Sequence, residues 1–339
     1  MKKLLDFAAV CAVVCTVMVI VFMPSCVMSP GGITILDGDY TPPRYIEAEF
    51  PSSSSVILYF SEKIEKIDAE LCNDTTKEVS ECLIRSCENE AEEGGRFPVA
   101  VDFSTQTQCG YPYTLYACAG DERGNTLTFS FSFPGYNDRI PKIILNEVRT
   151  EYTKPKVEFI ELRVIEDGNI GGLVLYNAND GEDKKYIFPP VEVKKDEFIV
   201  LHYRKIEENC IDELSSLDES SGTDASSSAR DFWVQDTSAR IGSSDVILLK
   251  SSCSGSIIDA LLFSESGKEN WKTAEMEEAA QKAYECGAWS TGFSVQDALC
   301  SDYVTTTRTL SRQNDGSWIT TASGGASPGR ENSVKSYIQ

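Results

Sequence analysis

Carboxylates, a single histidine and a set of cysteines are the residues of this 339-residue chain whose types suit chemistry. Glu158 and Glu161, in Val157-Glu158-Phe159-Ile160-Glu161-Leu162, would serve as an acid/base pair if both faced one cavity. The same segment reads as a strand, where structural pairing with a base such as Arg312 accounts for them better. A Ser-His-Asp hydrolase would have to use His202, yet that residue sits in an apolar strand pattern with neither a nucleophile elbow nor an adjacent serine motif. It therefore reads as a structural or surface histidine. Gly171-Gly172 and Gly324-Gly325 lack the spacing and following Lys-Ser/Thr that cradle phosphates. For calcium, Asp121 with Asn125 and Asp37-Gly38-Asp39 are the nearest oxygen sets, but without EF-hand spacing they read as solvated turns. The sequence predicts no catalytic residue, metal or cofactor.

The cysteines point to a compartment. Lys2 and Lys3 precede an apolar run from Phe7 to Met23, and Ser25-Cys26 follows, in the layout of a secretory signal. This resembles a bacterial lipoprotein signal, in which a small residue precedes the cysteine that becomes lipidated; Met23 and Pro24 depart from the usual residues. The resemblance implies lipid, palmitate included, on Cys26, with residues 1–25 removed and 26–40 left as a tether. Because the run reaches the lower edge of bilayer-spanning length, an uncleaved anchor is the rival outcome, and ordinary secretion a third. Of the 12 cysteines, Cys11 and Cys15 fall in the signal, and the rest beyond Cys26 suggest disulfides in an oxidising space. Cys210, Cys253, Cys286 and Cys300 would make two bridges, with the pairing open, whereas Cys72, Cys82, Cys87, Cys109 and Cys118 must leave one thiol over. No Cys-x-x-Cys pair accompanies His202, so structural zinc is disfavoured.

Composition narrows the partners. Hydrophobic residues make up 41% and the formal net charge is −22, so the chain buries real cores and repels polyanions over most of its surface. No basic patch offsets this, and no nucleic-acid partner is expected.

These groups need strands to position them. Residues 55–60, 97–101, 113–118 and 127–133 are short apolar or alternating runs, and Asp121-Glu122-Arg123-Gly124-Asn125 makes a hairpin turn. Leu58-Tyr59-Phe60-Ser61-Glu62, followed by Tyr113-Thr114-Leu115, Asp121 and Gly124-Asn125, resembles bacterial Ig-like domains of surface and periplasmic proteins, over residues 41–138. The acidic, cysteine-bearing stretch 62–93 departs from that pattern and is expected as a loop or short helix held by disulfides. Residues 135–141 are turn-rich and place a boundary near 138.

Beyond it come strands at 143–148, 157–164, 171–175, 198–203, 245–249 and 255–261, then Thr309-Leu310-Ser311-Arg312, Trp318 and Ser327-Pro328-Gly329-Arg330-Glu331-Asn332. This ordered set resembles the lamin-tail domain, an Ig-like β-sandwich of nuclear lamins and bacterial exported proteins, over residues 139–333, with 334–339 as a tail. Trp318 would anchor its core, and Ser327-Pro328-Gly329 would close its last strand. Two insertions depart from it: the Ser-rich stretch 207–229, expected as a mobile loop, and 271–284, expected as a helix.

The expectation is thus an all-β chain of two tandem Ig-like β-sandwich domains, with a short helix and a Ser-rich loop inserted in the second. The resemblances imply a membrane-anchored extracytoplasmic protein, periplasmic or at the cell surface, that binds or scaffolds a protein or envelope component without catalysis. The alternative is an accessory or degenerate domain of an envelope hydrolase or nuclease system, for which the two domains leave no room for a catalytic module.

Overall fold

Period-two alternation builds the first half of the chain. In Lys66–Asn73, Ile67, Ala69 and Leu71 turn inward while Lys66, Asp68 and Glu70 face water, as a strand with one buried face requires. The computed structural model describes residues 40–87, 91, 94–235 and 241–338. The signal segment, Cys26 and Asp37-Gly38-Asp39 lie outside them. Within the described part the chain is all-β in class with one α-helix, and Pro42–Gln339 is one compact unit.

Its first module has strands β1 (Tyr45–Ser52), β2 (Ser55–Phe60), β3 (Lys66–Asn73), β4 (Val79–Cys87), β5 (Phe97–Phe103), β6 (Pro112–Gly120) and β7 (Thr126–Pro134). Their order is β1-β2-β5-β4-β3-β6-β7, all antiparallel. The start of β4 pairs with β3 and its remainder with β5, so one strand passes from one layer to the other around a core of Val56, Leu58, Phe60, Leu71, Val101 and Leu115. Stretch 62–93 therefore supplies two strands, against the expected loop or helix. The apolar residues of β4 had concealed it, since Val79, Leu83 and Ile84 point outward.

The second module comprises β8 (Lys142–Arg149), β9 (Phe159–Glu166), β10 (Gly168–Asn169), β11 (Val174–Asn177), β12 (Tyr186–Ile187), β13 (Glu192–Val193), β14 (Phe198–His202), β15 (Arg230–Trp233), β16 (Asp245–Lys250), β17 (Ile257–Ser264), β18 (Leu299–Cys300), β19 (Leu310–Arg312) and β20 (Trp318–Thr320). A six-stranded sheet, β15-β14-β9-β8-β19-β20, and a five-stranded sheet, β12-β11-β16-β17-β18, share one core, which includes Leu145, Ile160, Leu201 and Phe232 of the first and Leu175, Ile247 and Leu261 of the second. Helix α1 (Ala274–Glu285) covers the five-stranded sheet: Thr273 caps it by accepting from Met276 N at 3.2 Å, and Met276, Ala279, Ala280 and Ala283 form its buried stripe. Trp318, half-buried beneath the Arg312 guanidinium on the edge strand β20, packs against this core, whose interior Phe188, Phe232 and Phe263 fill.

At the junction the two modules meet backbone to backbone. A Cβ on Gly110 would stand 2.7 Å from Gly171 Cα, and Asn137 Nδ2 donates to the carbonyls of Asn169 (2.7 Å) and Gly171 (2.9 Å). Only glycine permits that approach.

Candidate functional site

Strand register gathers several ionisable residues of the second module on the outer face of its six-stranded sheet. Glu147, Glu161, Val200 and Asp231 are mutual partners across β8, β9, β14 and β15, and the three carboxylates are buried. Glu147 accepts from the hydroxyls of Thr309, Ser311 and Ser327 and from Ser327 N. Glu161 accepts from Asn146 Nδ2 at 2.6 Å and Gly329 N at 2.5 Å. Burial, aggravated by the neighbouring Glu147, holds the Glu161 carboxyl well above the usual range; burial raises Glu147 too, against the pull of its donors. Ser327-Pro328-Gly329 is thus more than a turn after the last strand. It is the lid whose amides cap this carboxylate pair.

One register step away, Arg149, Phe159, His202 and Trp233 form the next row. His202 is buried, bonds Asp231 through Nε2 at 2.8 Å and stacks on Trp233 at 3.9 Å. Its Nδ1 is enclosed without a hydrogen-bond partner among the described residues. A base for nucleophilic catalysis needs a hydroxyl or thiol on that nitrogen, and none is present there.

The 207–229 insertion covers this row and is held in place rather than mobile. Glu213 is buried and exchanges bonds with the Asp231 backbone, Ser226 N donates to Asp231 Oδ2 at 2.6 Å, and Asp224 pairs with Arg149 while accepting from Val157 N. Its polar composition disguised a cover that hydrogen-bonds to a polar face. The expected pairing with Arg312 is also not formed: Glu158 pairs with Arg204 at 2.7 Å, Glu161 has no cation partner among the described residues, and Arg312 reaches Asp259 of the opposite sheet at 2.7 Å. Arg312 is one residue beyond Ser311, the partner of Glu147, and so turns to the other face of the sheet.

The expected bridges among Cys210, Cys253, Cys286 and Cys300 are not formed in the structure, where all four are free. They occupy different surroundings: Cys210 packs against Trp233, Cys253 lies in the β16–β17 loop, Cys286 ends α1, and Cys300 is in β18. Burial pushes the Cys210 and Cys253 thiols up, away from reactive thiolates. Asp121 is occupied by its own turn, accepting from Arg123 N, Asn125 N and Asn125 Nδ2. No cluster of three metal-ligating residues exists among the described residues.

An open site remains at the module junction, which linear sequence does not reveal because its walls come from both modules. A cleft of about 380 Å³ is walled by Phe50 and Pro51 of β1, by Phe133 and Pro134 of β7, and by the Ser251–Gly255 loop opposite, over Gly171 and Gly172. Glu49 is at its rim and accepts from Tyr59 Oη at 3.2 Å. Rings on one side and hydroxyls on the other suit non-covalent binding.

Residues 141–335 match the model of the TP_1001_2nd family, described as a protein second domain. An uncharacterized protein of Treponema pallidum (strain Nichols) is 33% identical over 240 residues, a match that spans 66% of this chain and 61% of that protein's length. Among solved structures, a DUF4876 family protein from Bacteroides thetaiotaomicron is 10% identical, with 78% of this chain and 89% of that one covered at a TM-score of 0.28. The archaellum periplasmic stator complex of FlaF and FlaG from Sulfolobus acidocaldarius is 15% identical, with 31% and 100% covered at a TM-score of 0.20. Likenesses this low carry no weight for fold or role. The family match spans more than half of the chain, so the chain belongs to the TP_1001_2nd family.

Proposed function

We propose that this chain is an exported lipoprotein, anchored to a membrane through Cys26, whose Ig-like and lamin-tail-like β-sandwiches bind or scaffold a protein or envelope partner without catalysing a reaction. The observation that carries the reading is the contrast between closed and open sites. The perturbed carboxylates Glu147 and Glu161 are sealed and hold the C-terminal turn, while the junction cleft is open and lined by rings and hydroxyls. The first module's order, β1-β2-β5 with part of β4 in one layer and β3-β6-β7 in the other, supports its Ig-like assignment. Lamin-tail kinship rests on the motifs of residues 139–333.

Photo-crosslinkers at Tyr136 and Ser252, in the full chain expressed in cells, test the binding reading. It predicts a discrete crosslinked partner that a crosslinker at the exposed Glu285 of α1 does not capture; equal capture from all three positions contradicts it. Cys26→Ala should move the protein from the detergent phase to the aqueous phase. Turnover by the full chain of an ester, peptide, glycoside or phosphodiester that Glu161→Gln abolishes with folding intact would overturn the non-catalytic assignment.

A further inference from the structure

Most strand edges in this molecule are shielded. β1 carries two register breaks, Glu47, Glu49 and Pro51. β12 and β18 are two residues long. β15 is covered by Asp212 and Glu213, which bond its backbone, and β20 by the C-terminal segment through Tyr337 N to Thr320 O. Such devices keep an edge from recruiting another strand.

Apart from Pro134 at its last position, β7 has none of them. It spans nine residues, Thr126–Pro134, pairs with β6 in unbroken register, and has no charged residue. The closing bonds Asp121 N to Asn125 O and Gly135 N to Tyr111 O place its odd-numbered residues in the hydrogen-bonded pairs with β6. The N–H and C=O groups of Thr126, Thr128, Ser130 and Ser132 therefore point away from the sheet, with no partner among the described residues. Beside them Phe129 and Phe131 are half-buried, stacked on Tyr45 at 4.8 and 5.3 Å, and Phe133 stacks on Phe50 at 4.3 Å where the row enters the junction cleft. A hydrogen-bonding edge and an aromatic slot thus run side by side into the cleft.

We propose that β7 is a strand-acceptor edge, on which an extended segment of a partner protein adds to the sheet, places alternate apolar side chains over Phe129 and Phe131, and ends in the junction cleft. The proposal rests on the binding reading above and names its surface. Backbone pairing demands an extended segment, the slot demands apolar residues at every second position, and the net charge of −22 favours basic flanks.

The test uses the full chain and a labelled nonapeptide that alternates valine with threonine and ends in lysines, beside a control of the same charge with proline at its centre. The native chain should bind the first at least tenfold more tightly than the control. Ser130→Pro removes an outward N–H and leaves the β6 ladder intact, so it should weaken binding at least tenfold, whereas Ser130→Ala should not. Residue-resolved amide exchange, which needs no variant, should show Thr128, Ser130 and Ser132 becoming protected when peptide is added. Undiminished binding by a folded Ser130→Pro chain, or unprotected amides, overturns the proposal. So does a native dimer that Ser130→Pro converts to monomer, since the edge then belongs to a second copy. Cleft crosslinks that persist in Ser130→Pro would reject the edge and leave the binding reading standing.

Discussion

The two modules bury different things. In the first, Ser55, Thr107, Thr114 and the turn residue Asp121 are the buried polar residues, and the core is aliphatic and aromatic. The second places Glu147, Glu158, Glu161, His202, Glu213, Asp231, Asp245 and Asp259 out of water. A buried carboxylate must find donors, and here they come from distant segments: Ser327 N reaches Glu147 across 180 residues. Loop 207–229 and the C-terminal turn are drawn onto the sheet by that demand. The first module makes no such demand, and its β7 edge stays open. Polar burial in this molecule therefore decides where extra chain is held.

Removing an acceptor should break that contrast most sharply. Glu147→Ala leaves the Thr309, Ser311 and Ser327 donors without their acceptor and should cost about 4 kcal/mol in chemical denaturation, with earlier amide exchange at 327–332. Leu115→Ala, a cavity in the first module, should cost about 3 kcal/mol and leave the C-terminal turn protected. If both variants loosen residues 327–332 equally, the polar layer is not what holds that turn.

The next effect is a pH dependence confined to the second module. Burial pushes Asp245 up to about 7, against three backbone donors. With its folded value raised, its contribution is fully present below the ordinary aspartate value and is lost as pH rises through about 7. Glu161, raised by burial and by Glu147, acts in the same sense. Melting temperature should therefore fall between pH 5 and pH 8, and Asp245→Asn should flatten that fall. An unchanged slope in Asp245→Asn would remove this residue from the account.

Gly110→Ala, which forces a Cβ against Gly171 at a φ of 70°, should cost about 2 kcal/mol and split one unfolding transition into two. A single transition would mean the modules remain coupled without close backbone contact. Thr273→Ala, removing the α1 cap, should cost about 1 kcal/mol and leave the first module's transition unmoved.

Local pattern accounts for what was legible in the sequence. Ser55–Phe60 is a strand at the predicted bounds, and α1 spans Ala274–Glu285 against the predicted 271–284, because apolar spacing and helix propensity act over a few residues. The turn at 121–125 follows from Asp121 and Gly124. β3 and β4 were hidden where acidic residues alternate with the core set and where apolar residues face outward.

By itself the sequence determined the all-β class and most strand positions, since both are short-range consequences of side-chain periodicity and backbone preference. Tertiary structure alone decided that Glu147 and Glu161 share a sealed site, that Arg312 joins Asp259, that loop 207–229 lies on the sheet, and that Phe50, Phe133 and Ser251 face one cleft. Those outcomes depend on strand order and register. Pairing β8 with β9 sets Glu147 beside Glu161, while Arg312, one residue beyond Glu147's partner Ser311, turns to the other face of the sheet and meets Asp259. Such adjacency is fixed by how sheets close around a core, over separations that no local pattern spans.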